Sequence, residues 1–205
     1  MDDGMSLTEY LQNRFGGQWV GVNFYHDVPP ACEIAEMPTG RFCEALASAH
    51  TRPLLITRDN LYCPGASYVF GWQYQTGAEM AQKLHHDHGF SVTVARTLLR
   101  HVPRIKGHLW GIVLNGGTTP DVLISYLEPA QIMTLIRAAQ IILRTNLSVD
   151  LSSIVSVCGH VAAQSFLAQR VAMSFGCVYS RRYGGITSDK VAVGIPFSVA
   201  ASMVG

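Results

Sequence analysis

The sequence lacks the short motifs by which metal and nucleotide sites are usually recognised. None of its five cysteines forms a CxxC or CxxxC pair, no GxGxxG occurs, and the glycine-rich turn "LNGGTTPD" has no P-loop lysine. Nucleotide binding therefore has little support. Charge is scarce as well: 14% of the 205 residues are charged, the net charge is +1, and no block of one sign occurs. That excludes the basic stripe of a nucleic-acid binder and the polybasic patch of a membrane-surface protein. The start, "MDDGMSLTEYLQNRF", has neither the basic n-region nor the apolar h-region of a signal peptide. The longest apolar region, Ile154 to Tyr179, is interrupted by His160, Gln164, Gln169 and Arg170, so no membrane span is expected. A cytoplasmic protein is the expectation. In that reducing compartment an odd set of five cysteines leaves core packing, metal binding or redox chemistry rather than disulfides.

What is present is apolar material, 48% of residues, enough for a real core in one domain covering 1–205. With so little charge, part of the surface is expected to be covered by another copy or a larger complex. "SLTEYLQNRF" has Ser6 and, three residues on, Glu9, the pattern of a capping box, and Gly16 and Gly17 follow as a stop. "QWVGVNFYH", "PLLIT", "HLWGIVL", "VLISYL", "SSIVSV" and "KVAVGIPFSV" read as strands, with "VLISYL" apolar enough to be buried on both faces. "CEALASAH", the residues after "YCPG", Glu79 to His86, and "EPAQIMTLIRAAQIIL" with Pro129 in its first turn read as helices. This alternation predicts an α/β or α+β layered domain around a mixed sheet.

The chain carries a faint internal echo. Nineteen residues separate Cys43 from Cys63, and eighteen separate Cys158 from Cys177. Each first cysteine opens an alanine-rich segment, and each second one lies in a glycine-flanked turn. Two pseudo-symmetric halves would bring equivalent cysteines together.

Thiolates are soft ligands, and four of them suit zinc or an iron–sulfur cluster. On the residues alone two readings stand side by side for Cys43, Cys63, Cys158 and Cys177: metal ligands, or ordinary buried thiols, with the missing CxxC favouring the second. His160, two residues after Cys158, is a candidate to orient a bound group or donate a proton, or else a core histidine. "LHHDHGF" places His85 and His88 on one helical face and turns His86 away; a solvated helix end is the simpler reading. Arg181 and Arg182, followed by Gly184 and Gly185, suit a carboxylate or phosphate, or else form a surface turn paired with Asp189. Cys63 beside Pro64 and Gly65, at a helix start, is a candidate reactive thiol.

The blocks "FCEALASA", "YCPGASYVFGW", "TPDVLISYLEPAQIMTLIRAA", "VCGHVAAQSF" and "SFGCVYSRRYGGITSDKVAVGIP" together resemble domain-of-unknown-function family number 169, a group of mostly anaerobe archaeal and bacterial proteins. The resemblance runs from about Gly40 to the C-terminus, leaving 1–39 as an N-terminal helix and strand. Cys43, Cys63, Cys158, Cys177, Arg181, Pro120, Asp121 and Pro196 fall on its pattern; Cys32 does not and is treated as incidental. The resemblance implies a fold and a cysteine set, with no assigned activity. Taken with it, the favoured expectation is a [4Fe–4S] protein of anaerobic metabolism. Cys43, Cys63, Cys158 and Cys177 are its ligands, with His160, Arg181, Arg182 and Gly65 around them. Zinc or a tetrapyrrole are lesser cofactor expectations. A cofactor-binding module, a thiol enzyme using Cys63, and a non-catalytic subunit of a complex are the alternatives. A homo-oligomer or complex and an unidentified redox partner are expected.

Overall fold

A computed structural model describes residues 5–29, 34–72, 76–117 and 119–204. Cys32 lies outside the described residues. The first helix, α1 (Leu7–Phe15), begins where the capping box places it: the Glu9 amide donates to Ser6 Oγ at 3.3 Å, and the Ser6 amide donates to Glu9 Oε2 at 2.8 Å. Gly16, at φ 73°, ends it. In chain order there follow β1 (Val20–Tyr25), β2 (Ala35–Glu36), α2 (Phe42–Ser48), β3 (Leu54–Thr57), α3 (Pro64–Val69), α4 (Gly77–His88) and α5 (Val92–Arg100). The second half runs β4 (Gly111–Leu114), β5 (Val122–Leu127), α6 (Pro129–Leu143), a π-helix (Ser156–Ala163) continuing into α7 (Gln164–Ala168), β6 (Ala172–Ser174), α8 (Val178–Tyr183), β7 (Val191–Pro196) and α9 (Phe197–Ser202).

The strands form one seven-stranded sheet of order β2-β3-β4-β1-β5-β7-β6, antiparallel except for β2 with β3. This is the expected layered α/β architecture. Period-two alternation divides β5 and β7 between two apolar layers. Val22, Phe24, Ile112, Val122 and Ile124 face one layer with Phe42, Phe70, Met80 and the π-helix. Leu123, Leu127, Val193 and Ile195 face the other with α1, α6 and α9. Each such fully buried side chain contributes about 1.5–3 kcal/mol relative to exposure.

The echo in cysteine spacing recurs in the topology. Outward from the middle the sheet reads β1, β4, β3 and then the short β2 on one side, and β5, β7, β6 on the other. The chain visits them in matching order, with the Cys43 helix α2 and the Cys158 π-helix in equivalent connections, and α3 and α8 likewise.

Three expectations are corrected. "SSIVSV" is not a strand: Val155 sits at φ 48°, a left-handed turn, and Ser156 already starts the π-helix. The apolar run after Cys158 is not one helix, because Gln169 at φ 48° reverses the chain into the edge strand β6. Residues 197–199 leave the last strand at Pro196 and begin α9. A further helix, α5, lies in a stretch left unassigned from the sequence; its opening "VTV" has strand-like composition, but the Ser91 side chain caps Val94 and the i,i+4 pair Ala95 and Leu99 is buried. Among the described residues no helix is long and apolar enough to cross a membrane.

The π-helix crosses β7 where that strand has Gly194. A Cβ there would stand 2.9 Å from Val161 Cγ1 and Ser165 Oγ and 3.0 Å from the Val161 carbonyl oxygen. The carbonyl belongs to a buried helical backbone and has nowhere to go. Gly194→Ala is therefore expected to lower unfolding stability by about 1–3 kcal/mol, read from chemical denaturation, whereas a loss near zero would mean that the π-helix does not seat on the strand.

Candidate functional site

Each of the four family-pattern cysteines sits at the start of a helical segment. Cys43 is the second residue of α2, and Cys63 precedes Pro64 as the N-cap of α3. Cys158 is the third residue of the π-helix, and Cys177 is the N-cap of α8. Cys177 is held by a local loop of hydrogen bonds: its amide donates to Ser180 Oγ at 2.8 Å, and that hydroxyl donates to the Cys177 carbonyl at 3.0 Å. All four cysteines line one cavity of about 270 Å³. That is many times the roughly 15 Å³ a single water needs, so the space suits a polyatomic group. Cys43 and Cys158 are buried on its inner side, while Cys63 and Cys177 are half-buried.

The thiols are free and stand in each other's electric field. Burial, then the neighbouring Cys63 and Cys177, then Glu44, push Cys43 up to about 12. Burial pushes Cys158 well above the usual thiol range, and the other three cysteines add to it. Burial also raises Cys63, but the amides of Ala66 and Gly65 and the charge of Arg41 act in the opposite direction. Around neutral pH the inner pair is thus protonated. Several thiolates together in so apolar a place require a cationic partner between them. Among the described residues no group of three or more His, Cys, Asp or Glu closes to metal-binding geometry. The cysteines surround a space instead of a point.

The backbone beside the site is strained. Val155 is β-branched yet adopts φ 48°, and its carbonyl accepts from both the Gly159 amide at 3.0 Å and the His160 amide at 3.3 Å, opening the wide π turn. Such conformations cost on the order of 1–3 kcal/mol and concentrate at functional sites. Here the turn brings Val155 to the cavity wall against Gly65. On the opposite wall α8 approaches Cys43 so closely that a Cβ on Gly184 would lie 2.6 Å from Cys43 Cβ and 3.1 Å from its Sγ.

The cavity rim is cationic and aromatic. The Arg41 guanidinium lies 4.7 Å and 4.8 Å from the ring centres of Tyr179 and Tyr183, and its Nη1 donates to the Tyr62 carbonyl. Lys83 pairs with Asp87 at 3.1 Å, and the His88 ring meets the edge of Tyr179. Of the residues expected around the cysteines only Gly65 lines the cavity. Arg181 instead donates to the Thr187 carbonyl, and Arg182 packs over Tyr183. His160 projects among Asp150 and His101, buried, with neither ring nitrogen partnered. His85 is spent on the Phe90 carbonyl and His86 on Asp87. The face of α4 that reaches the cavity carries Met80, Lys83, Leu84, Asp87 and His88.

Sequence reasoning missed Arg41, Lys83, Asp87 and Tyr179 at the cavity, and Tyr126, which stands outside its lining. Arg41 and Tyr179 each stand two residues from a cysteine, which was the available signal. Tyr126 follows from the alternation of β5, which turns it with Val122 and Ile124 toward the cysteine-bearing layer. Its hydroxyl is buried without a partner, a state that costs about 1–3 kcal/mol. Asp121, on the family pattern, has a structural role: Oδ2 accepts from the Phe24 amide at 2.7 Å where β1 and β5 diverge.

Two outcomes follow. In metal-free native protein, alkylation followed by peptide mass spectrometry is expected to mark Cys63 and Cys177 well before Cys43 and Cys158; equal rates would mean that the inner pair is not enclosed. Burial lowers His160 below its ordinary value of 6.5. The unfolded chain then takes up the proton first, so stability is full above about pH 6.5 and falls as pH drops through the depressed folded value. Melting temperatures between about pH 5 and about pH 8 are expected to show this slope, and His160→Gln to flatten it.

No solved structure matches the chain. Among curated proteins it is 25% identical over 165 residues to an uncharacterised protein of Methanocaldococcus jannaschii, an alignment covering 76% of this chain and 71% of that one. The family described as uncharacterised ArCR, domain-of-unknown-function family 169, matches residues 11–205, and the chain belongs to that family.

Proposed function

We propose that Cys43, Cys63, Cys158 and Cys177 ligate an iron–sulfur cluster, a [4Fe–4S] centre, and that the protein serves electron transfer or cluster-based chemistry on a small molecule. The observation that carries this reading is the convergence of four dispersed cysteines on one cavity. The residues fit the group chemically. Soft thiolates are its ligands, the amides of Gly65 and Ala66 favour the ionised form of Cys63, and Arg41 supplies positive charge at the rim. A bound cluster would supply one-electron transfer at a potential set by its surroundings. The protein's own part is to enclose two ligands, leave the other two at the opening, and hold water back with Phe42, Leu61, Ile154 and Val157.

A single zinc ion would draw four thiolates to about 2.3 Å from one point, whereas a cavity of about 270 Å³ has room for a polyatomic group. A tetrapyrrole held by histidine has only His88 within reach of the cavity. A Cys63 thiol enzyme would favour a lowered pKa, whereas burial drives that thiol upward. The exposed apolar side chains Tyr62, Phe175 and Val178 fit the expectation of a covering partner, either a second copy or a redox protein of the same cytoplasmic compartment.

Protein purified and reconstituted without oxygen is expected to carry about four iron and about four sulfide per chain with charge-transfer absorption, and Cys158→Ala to abolish both. Colourless protein that takes up no iron would sink the reading. About two iron per chain would instead place the cluster between two copies.

A further inference from the structure

Resting on that reading, we propose that the rim of the cavity is the docking surface for an acidic electron-transfer protein, with Arg41 and Arg182 as its cationic anchors. Four exposed side chains stand together there. Tyr62 lines the mouth and is 71% exposed, and Tyr183, 40% exposed, stacks on Tyr179. Val178, 59% exposed, lies between Cys177 and Tyr179, which both line the cavity. Arg182 is exposed and packs on the ring of Tyr183, 5.2 Å from its centre, the same ring that Arg41 approaches to 4.8 Å. Two guanidinium groups thus share one aromatic ring, and among the described residues neither pairs with a carboxylate. The acids of the neighbourhood are engaged elsewhere: Asp87 pairs with Lys83, Glu44 accepts the Arg41 amide at 2.6 Å, and Asp189 accepts the Thr187 hydroxyl at 2.5 Å. Tyrosine and arginine around an apolar side chain are the composition of an interface centre. Its sign selects the partner. A second copy in a two-fold arrangement would bring its own Arg41 and Arg182 to the same contact, where like charges repel, whereas carboxylates complete both guanidiniums. The half-buried Cys63 and Cys177 lie at this opening, so a protein seated on it reaches the centre from its exposed side. One electron then passes between the two centres, one oxidised as the other is reduced, with no bond made or broken.

Electron transfer is to be measured by anaerobic stopped flow on reconstituted full-length protein, in whichever direction the two midpoint potentials allow. The probe is a plant-type [2Fe–2S] ferredoxin, an acidic protein, and an uncharged flavin serves as the reference reactant. The second-order rate constant with ferredoxin is expected to fall about tenfold between about 20 mM and about 500 mM salt, while that with flavin stays level. At low salt Arg182→Gln is expected to lower the ferredoxin rate about threefold, with Arg182→Lys close to wild type. Iron, sulfide, midpoint potential and the flavin rate stay unchanged in both variants, which a disturbed centre would not allow. Arg137→Gln removes the same charge from the exposed face of α6, across the sheet, and is expected to leave the ferredoxin rate as it is. A salt-independent ferredoxin rate, no loss from Arg182→Gln, or an equal loss from Arg137→Gln would overturn the docking surface and leave the cluster standing. So would a dimer in sedimentation that Tyr62→Ala separates, because a second copy would then hold this face. Failure of wild type itself to take up iron and sulfide would overturn the cluster, and this inference with it.

Discussion

Three residue pairs, Val20 with Ile124, Gly21 with Leu123 and Val22 with Val122, join the two halves of the chain through the antiparallel contact of β1 and β5. Outward of this contact β4 and β3 on one side match β7 and β6 on the other, with the short edge strand β2 added beyond β3. Because the central strands run antiparallel, equivalent connections in the two halves emerge toward one another on the same face. That brings the helical segment opening near Cys43 to the one opening near Cys158, and the short helices behind Cys63 and Cys177 to the same cavity. Asp121 secures the region by accepting the Phe24 amide, and Asn115 ties the neighbouring strands by accepting the Gly21 amide at 2.7 Å.

The site that results works against stability in several ways. Neighbouring cysteines raise the cost of ionising Cys43 and Cys158, Val155 holds a conformation that β-branched residues avoid, and the hydroxyl of Tyr126 and both nitrogens of His160 are buried without partners. A chain selected for packing alone would lose little by replacing these residues with apolar ones. Of these departures, the buried cysteines and the strained Val155 gather on one cavity, which is what a functional centre looks like in an otherwise consistent fold. The well-made parts lie elsewhere, in the capping box of α1 and in the dry layer between the sheet and α6.

The opening has its own organisation. The rim residues come from α2, α4 and α8, and the stacked pair Tyr179 and Tyr183 holds Arg41 in place. An arginine fixed by two aromatic rings has lost most of its side-chain freedom already, so it can oppose negative charge in the cavity at little further entropic cost. The half-buried cysteines Cys63 and Cys177 lie on this side. In the proposed centre it is the short way in and out for an electron.

Local chemistry decided more of this protein than its weak motifs suggest. The cap at Ser6, Pro129 at the first turn of α6, and the apolar run of β5 each act over a few residues, and each formed where its sequence places it. The position of each cysteine at a turn or helix start was likewise legible, since Pro64 and the glycines around residues 176 and 184 act locally. Residues 152–168 were not legible, because a run of serine, valine and isoleucine has no period that separates strand from helix. There the outcome was decided by packing across Gly194 and by the left-handed turns at Val155 and Gln169. The surroundings of the cysteines were also beyond reach of spacing alone. His160 and Arg181 are neighbours of cysteines in the chain and point elsewhere, while Arg41 arrives from α2's entry. Sequence alone determined which residues start helices and that four cysteines stand there; only the pairing of β1 with β5 decided that those four thiols meet, because contact between residues over a hundred positions apart is a property of the sheet and not of any segment.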